Sequence, residues 1–283
     1  MTASKKNALK IAALVIAGIL VAGAAYAVVS TYLYESKKKP IVPSGKTLDL
    51  TGYELVFEDD FDGDELDLEK WQYRANGKRR AGFNSPNQVT LKDGNLHIKA
   101  EYKEDGEYGP GWYTGMIRTN SEYITGYFEV RCKANEGGGF WSAFWLNSQG
   151  MNAQSNGGIN GAEIDIFEAF NYDKKTYFFD IRDSVSLNIH VDGYGEELKS
   201  KNLGNFYVKD PYNEFHTYGL EWTTSEYIFY IDGVEAVRSS FDKGVSKALE
   251  YAILSLEPPS EVTAKPGFET EFIVDYVKIY QKK

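Results

Sequence analysis

The chain has 283 residues, a single cysteine and a formal net charge of −10. Its first 45 residues carry six lysines against one glutamate, a net of +5, so the rest of the chain stands at −15. That acidity excludes nucleic acid as a partner, because phosphate contacts need a basic footprint, and it disfavours heavily sulfated polymers unless a local basic patch overrides it.

From Ile11 to Tyr34 the chain runs 24 residues without a charge, more than the ~20 needed to cross a bilayer as a helix. Lys5, Lys6 and Lys10 precede the run and Lys37, Lys38 and Lys39 follow it, while Tyr26, Tyr32 and Tyr34 gather toward its far end like an interfacial belt. Ala25-Tyr26-Ala27 also fits a signal-peptidase site. The apolar run continues well past Ala27, so an uncleaved single-pass anchor over residues 1–35 is the expectation, and a cleaved, secreted form the alternative. Either one puts the rest of the chain outside the cytoplasm. Residues 36–49, with Pro40 and Pro43, read as a short extended tether.

Residues 50–283 have the size of one all-β domain. Alternating segments recur with turn residues between them, and helical periodicity is scarce. Lys92-Asp93-Gly94 separates Gln88–Leu91 from Asn95–Ala100, and Asp232-Gly233 separates Tyr227–Ile231 from Val234–Val237. Both read as β-hairpins. Gly126–Ala134 and Phe272–Tyr280 are further clean alternations, and the natural conclusion is two packed antiparallel sheets. Cys132 sits in one of these strands and reads as a small buried hydrophobe. The irregular stretches 101–113 and 147–161 are expected to border a cleft.

The stretch Glu163-Ile164-Asp165-Ile166-Phe167-Glu168 places three carboxylates among apolar spacers. On a strand Glu163 and Asp165 share a face, whereas Glu168 has the wrong parity and joins them only across a β-bulge. Three acids on one face of a buried strand repel one another and are costly to desolvate. A solvated edge strand is the bland alternative. Two carboxyl groups flanking a glycosidic bond are what sugar hydrolysis requires. About 20 residues earlier, after Gly137-Gly138-Gly139, Trp141 and Trp145 share parity and could stack on sugar rings or fill the core. Asn188 and His190 lie on the polar face of another alternation, Ser186–Val191, as cleft candidates. His97 and His216 read as structural. Three scattered histidines and one cysteine offer no transition-metal site, and neither a serine elbow nor a phosphate loop is present.

With these segments in order, the chain resembles glycoside hydrolase family 16, the group of laminarinases, lichenases, agarases and carrageenases. The likeness runs over residues 50–281. It is carried by Trp141–Trp145, the bulged form of the Glu163–Glu168 signature, Phe215–Trp222, Phe229–Gly233 and Val274–Tyr280. The resemblance implies a concanavalin-like β-jelly roll with a cleft across its concave sheet, and retaining cleavage of a β-linked polysaccharide without a cofactor. Glu163 would be the nucleophile and Glu168 the general acid/base. Asp165 would hold Glu163 by a hydrogen bond. The expected substrate is β-1,3- or β-1,3-1,4-glucan, with an endo-β-galactanase or a transglycosylase as alternatives on the same glutamates and a non-catalytic lectin as the alternative of another class. Gly157–Ala162 and Ile253–Pro259 depart from the β-1,3-glucanase pattern. The family often holds a structural calcium, to which Asp275 and an acid near Glu58 could contribute.

Overall fold

The computed structural model describes residues 3–152 and 156–283. Residues 153–155 of the expected 147–161 loop, and the first two residues of the chain, lie outside the described set. By its contacts the chain separates into two compact units, residues 1–39 with 175–180, and residues 40–174 with 181–283.

The first unit is built on helix α1, Ala3–Ser36. Its stretch Lys10–Ser36 is long and apolar enough to cross a membrane, with a mean hydropathy of 2.5 and none of it buried. Near its C-terminal end Glu35 accepts hydrogen bonds from the backbone N–H groups of Tyr177 and Phe178, each at 2.9 Å. Those donors satisfy a carboxylate that would otherwise be buried unpaired.

The second unit is a two-sheet sandwich. Its strands begin with β1 Tyr53–Asp59, β2 Trp71–Tyr73, β3 Gly77–Arg79, β4 Gly82–Asn84, β5 Val89–Lys92 and β6 Asn95–Lys103. Next come β7 Gly111–Thr114, β8 Met116–Thr119, β9 Gly126–Lys133, β10 Trp141–Asn147, β11 Glu163–Ala169 and β12 Ser184–Val191. The last are β13 Lys199–Tyr207, β14 His216–Trp222, β15 Tyr227–Ile231, β16 Val234–Ser239, β17 Tyr251–Glu257 and β18 Glu269–Lys282. One sheet has seven strands in the order β13-β12-β11-β10-β17-β8-β2. The other has eleven, in the order β16-β15-β14-β9-β18-β6-β7-β4-β3, with β1 added on β18 and β5 on β6. Almost all pairings are antiparallel; β4 with β7 is a parallel one.

Both expected hairpins form, Lys92 opposite Asn95 and Ile231 opposite Val234. Their turn residues Asp93-Gly94 and Asp232-Gly233 all take left-handed backbone conformations, as a turn matched to the strand twist requires. The tether is extended but also paired. Ile41 bridges to Phe206, Thr47 to Val234, and Gly45 N–H donates to the Glu235 carbonyl.

Inward-facing side chains of the two sheets make one core that includes Leu96, Ile98, Phe128, Val130, Phe144, Ile164, Phe167, Tyr218 and Leu254. Each such residue contributes roughly 1.5–3 kcal/mol by leaving water. Phe167 of β11 stacks on Tyr218 of β14 at 4.3 Å between ring centroids, tying the acid-bearing strand to the opposite sheet. Cys132 is buried in this core. On the other face of the seven-stranded sheet a separate cluster of Met116, Ala143, Trp145, Tyr251 and Ile253, with Trp141 beside it, forms a floor.

Candidate active site

β11 is bulged where the parity of Glu168 requires it. Against β10, Phe144 faces Phe167 and Trp145 faces Asp165, so Ile166 is the extra residue. The register to β12 shifts over the same interval, between Asp165 and Glu168. Ile164, Ile166 and Phe167 all go to the inter-sheet core, and Glu163, Asp165 and Glu168 all reach one cavity. Strand entry is fixed by packing. A Cβ on Gly161 would lie 2.1 Å from Ser148 Oγ, so only glycine fits there. The next N–H, of Ala162, donates to Glu250 Oε1 at 3.0 Å.

The cavity has a volume of about 220 Å³, and its walls include the three acids, Trp141, Trp145, Tyr194 and three arginines, Arg74, Arg79 and Arg80. The expected aromatic walls are therefore in place. Gly137, Gly138 and Gly139, all left-handed, lead the chain into β10. Trp141 Nε1 donates to Glu168 Oε1 at 2.9 Å, and Trp145 Nε1 donates to Ser255 Oγ at 3.1 Å. Asn188 and His190 bind the acids. Asn188 Nδ2 donates to Glu168 Oε2 at 2.6 Å while its Oδ1 accepts from Asn202. His190 Nε2 is 3.2 Å from Asp165 Oδ2, and its Nδ1 is 2.6 Å from Ser200 Oγ.

The expected hydrogen bond from Asp165 to Glu163 does not form among the described residues. Glu163 Oε2 accepts instead from Asn147 Nδ2 at 3.1 Å and from the Tyr194 hydroxyl, because Asp165 turns toward His190. Asp165 is only 4% exposed. Burial pushes its carboxyl well above the usual range, and the charges of Glu163 and Glu257 add to this. Burial also raises Glu168, with further help from Asp165, to about 8. Glu168 thus stays protonated at neutral pH, as a general acid must.

Several cleft residues have no local signature. Glu257, buried at the end of β17, receives Arg79 Nε and Nη2 at 2.9 and 2.8 Å. The Arg80 guanidinium lies 4.6 Å above the Trp141 ring, and that of Arg74 is 5.0 Å from the Trp145 ring. Asn147 shares parity with Trp141 and Trp145, and the run Lys78-Arg79-Arg80 is a basic cluster. Those two signals were available in the sequence. For Tyr194, Arg74 and Glu257 there was none.

His97 pairs with Glu271 and His216 with Asp232, in keeping with structural roles. Asp275 is clamped by Arg131, and Glu58 is bound by Lys278 Nζ at 2.8 Å.

Comparison with known proteins agrees with this geometry. The family model of the β-porphyranase A–D type GH16 domain matches residues 55–281. A β-glucanase of Rhodothermus marinus is 24% identical over 81% of this chain and 85% of its own length. Another, of Acetivibrio thermocellus, is 30% identical over 67% of this chain, which spans only half of that protein. Among solved structures, a mutant of SCLam, described as a non-specific endo-β-1,3(4)-glucanase of family GH16, superposes with a TM-score of 0.67 at 25% identity, covering 86% of this chain and all of that one. The sandwich, the bulged acidic strand and the match over four-fifths of the sequence agree: the chain belongs to glycoside hydrolase family 16.

Proposed function

We propose that the protein is a retaining endo-β-glycanase that cuts internal linkages of a β-1,3- or β-1,3-1,4-glucan. The observation that carries this reading is the pairing of Glu163, supplied with neutral donors, and a protonated Glu168, on one bulged strand and in one aromatic-walled cavity. An oxygen of Glu163 attacks the anomeric carbon as the glycosidic C–O bond breaks, and the proton of Glu168 passes to the leaving oxygen. Glu168, now a carboxylate, takes a proton from water, which displaces Glu163 and regenerates the enzyme. Asp165, between them, is buried with its carboxyl raised and presents Oδ2 to His190 Nε2 at 3.2 Å.

Endo action is supported by a second depression past Glu168 and Trp141, walled by Gly139, Phe170, Asp173 and Lys174. A polymer can extend past Glu168 into that depression. The glucan assignment is supported by the relatives named β-glucanases. Residues 1–35 act as a membrane anchor, 36–49 connect, and 50–283 carry catalysis outside the cell. The mass of the mature protein tests the anchor, and a species starting near Val28 would contradict it.

A second reading, a β-porphyranase-type reaction on a galactan bearing anionic groups, is favoured by the three guanidinium groups in the wall of an otherwise acidic domain. Reducing-end release from laminarin, lichenan, agarose and porphyran separates the two. Release from the glucans is expected. Release from porphyran alone, falling with added salt, would move the assignment to the second reading, and release from none would favour a lectin. Product masses from the cleaved polymer distinguish water from a sugar as the acceptor.

A further inference from the structure

Glu163 is held on one side only. Asn147 Nδ2 has two hydrogens, and it donates one to Glu163 Oε2 at 3.1 Å and the other to the Tyr194 hydroxyl at 2.6 Å. The phenol accepts from Asn147 and passes its own hydrogen to the same Oε2. All three N–H and O–H hydrogens in this triangle are therefore used, and two converge on one carboxylate oxygen. Among the described residues no donor reaches Oε1; the nearest cationic candidate, His190 Nε2, is 4.0 Å away and aimed at Asp165.

Tyr194 is brought there by a fixed device. β12 ends at Val191, and Asp192 and Gly193 both turn left-handed, reversing the chain. Asp192 is buried, with Oδ1 accepting the N–H groups of Asn156 at 3.0 Å and Gly157 at 2.7 Å and Oδ2 3.2 Å from Lys199 Nζ. The turn is thus bolted to the loop that leads into the acidic strand. Tyr194 itself is 56% exposed and belongs to none of the hydrophobic clusters. Its ring adds little to packing, and its hydroxyl is the part that is engaged.

We infer that Tyr194 and Asn147 are positioning residues that choose the attacking oxygen of Glu163. They hold Oε2, leave Oε1 bare toward the cavity, and keep their hydrogen bonds to Oε2 when it becomes the ester carbonyl of the glycosyl-enzyme. In the first step the Oε1–C1 bond forms, the glycosidic bond breaks and the leaving oxygen takes the proton of Glu168, so no further reactant is required. A neutral phenol suits this task better than a guanidinium, whose fork would engage both oxygens and block attack. The phenol remains protonated, since burial and the Glu163 charge drive it far above its ordinary value. The inference rests on the retaining reading above.

The titratable and charged groups around Glu163 are Asp165 and Glu168 on its own strand, His190 from β12, Glu257 from β17, Tyr194, and Arg74, Arg79 and Arg80 across the cavity. Losing one donor hydrogen to a carboxylate corresponds to about a ten- to hundredfold effect. Tyr194→Phe is accordingly expected to lower kcat by that factor with KM little changed. Asn147→Ala should do the same, and the double variant should lose less than the product of the two, because the groups act on one atom. A substrate-free readout is the ¹³C chemical shift of the Glu163 carboxyl in protein labelled at glutamate, identified as the resonance absent in Glu163→Gln, which should move in Tyr194→Phe at one fixed pH. An unmoved resonance with unchanged kcat would overturn the inference. Azide tests the underlying reading separately. If it fails to restore turnover to Glu163→Ala, the nucleophile is misassigned; if it succeeds while Tyr194→Phe behaves as the parent, only the role of Tyr194 falls.

Discussion

The two sheets each carry a group of carboxylates, and the groups differ in what holds them. On the eleven-stranded sheet Asp275 is clamped by the Arg131 guanidinium and Glu58 by Lys278, while Glu129 takes hydroxyl hydrogens from Tyr127 at 2.6 Å and Tyr276 at 2.9 Å. On β11 the partners are Asn147, Tyr194, Trp141, Asn188 and His190. Three arginines share the cavity, yet Arg79 is bound to Glu257 and the other two lie over tryptophan rings. A cation beside a carboxylate favours its charged form, which stabilises an ion pair and disables a general acid. The contrast teaches that Asp275 and Glu58 are held charged by an arginine and a lysine, whereas the acids of β11 take neutral donors and the titratable His190.

The largest effect should come from Glu163→Gln, which removes the carboxylate of the proposed nucleophile. Reducing-end release is expected to fall on the order of 10⁴-fold or more, whereas Asp275→Asn should leave it intact. Glu168→Gln should lower release by roughly 10²–10⁴-fold and at the same time stabilise the protein at neutral pH. The sign follows from the raised carboxyl: between 4.5 and about 8 the unfolded chain has given up this proton and the folded protein keeps it, so native stability declines as pH rises through that window. Denaturant titrations of the two proteins at pH 5 and pH 8 would check this, the difference appearing at pH 8.

Packing of the acidic strand predicts the next effect. Phe167→Ala empties the stack on Tyr218 and should cost about 3–5 kcal/mol of stability, read from urea unfolding. Breaking the half-exposed Arg131–Asp275 pair should cost about 1 kcal/mol or less in the same assay. A large loss there would blur the distinction between the two groups. The smallest effect concerns His216, where desolvation is outweighed by the Asp232 hydrogen bond and charge and by the Lys209 carbonyl, leaving the imidazole raised above 6.5. Its contribution to stability is complete below 6.5 and is lost as pH rises through the folded value. His216→Ala should therefore flatten a weak decline in stability on the alkaline side of 6.5.

Much of this was legible in the chain. Alternation and the two Asp-Gly turns specify the hairpins, and the wrong parity of Glu168 demands a bulge, because a side-chain period of two leaves no other way to bring three acids to one face; the structure puts it at Ile166. The parity of Trp141 and Trp145 put both on one face, and the structure makes that face the cavity wall. What was not legible depends on neighbours distant in sequence. Glu257 arrives from β17 and Arg74 from beyond β2, and Tyr194 depends on a buried aspartate gripping another loop. The same limit explains the misassigned hydrogen bond. Spacing puts Asp165 beside Glu163, but the adjacent strand β12 supplies His190 and draws Asp165 away.

That burial keeps Glu168 protonated against its Trp141 hydrogen bond and the pull of His190 is tested most directly by the pH dependence of kcat/KM for the polymer the enzyme cleaves. The account predicts that activity falls as pH rises through about 8, and that Glu168→Gln shows low activity with that limb gone. A basic limb that persists unchanged in Glu168→Gln would contradict it.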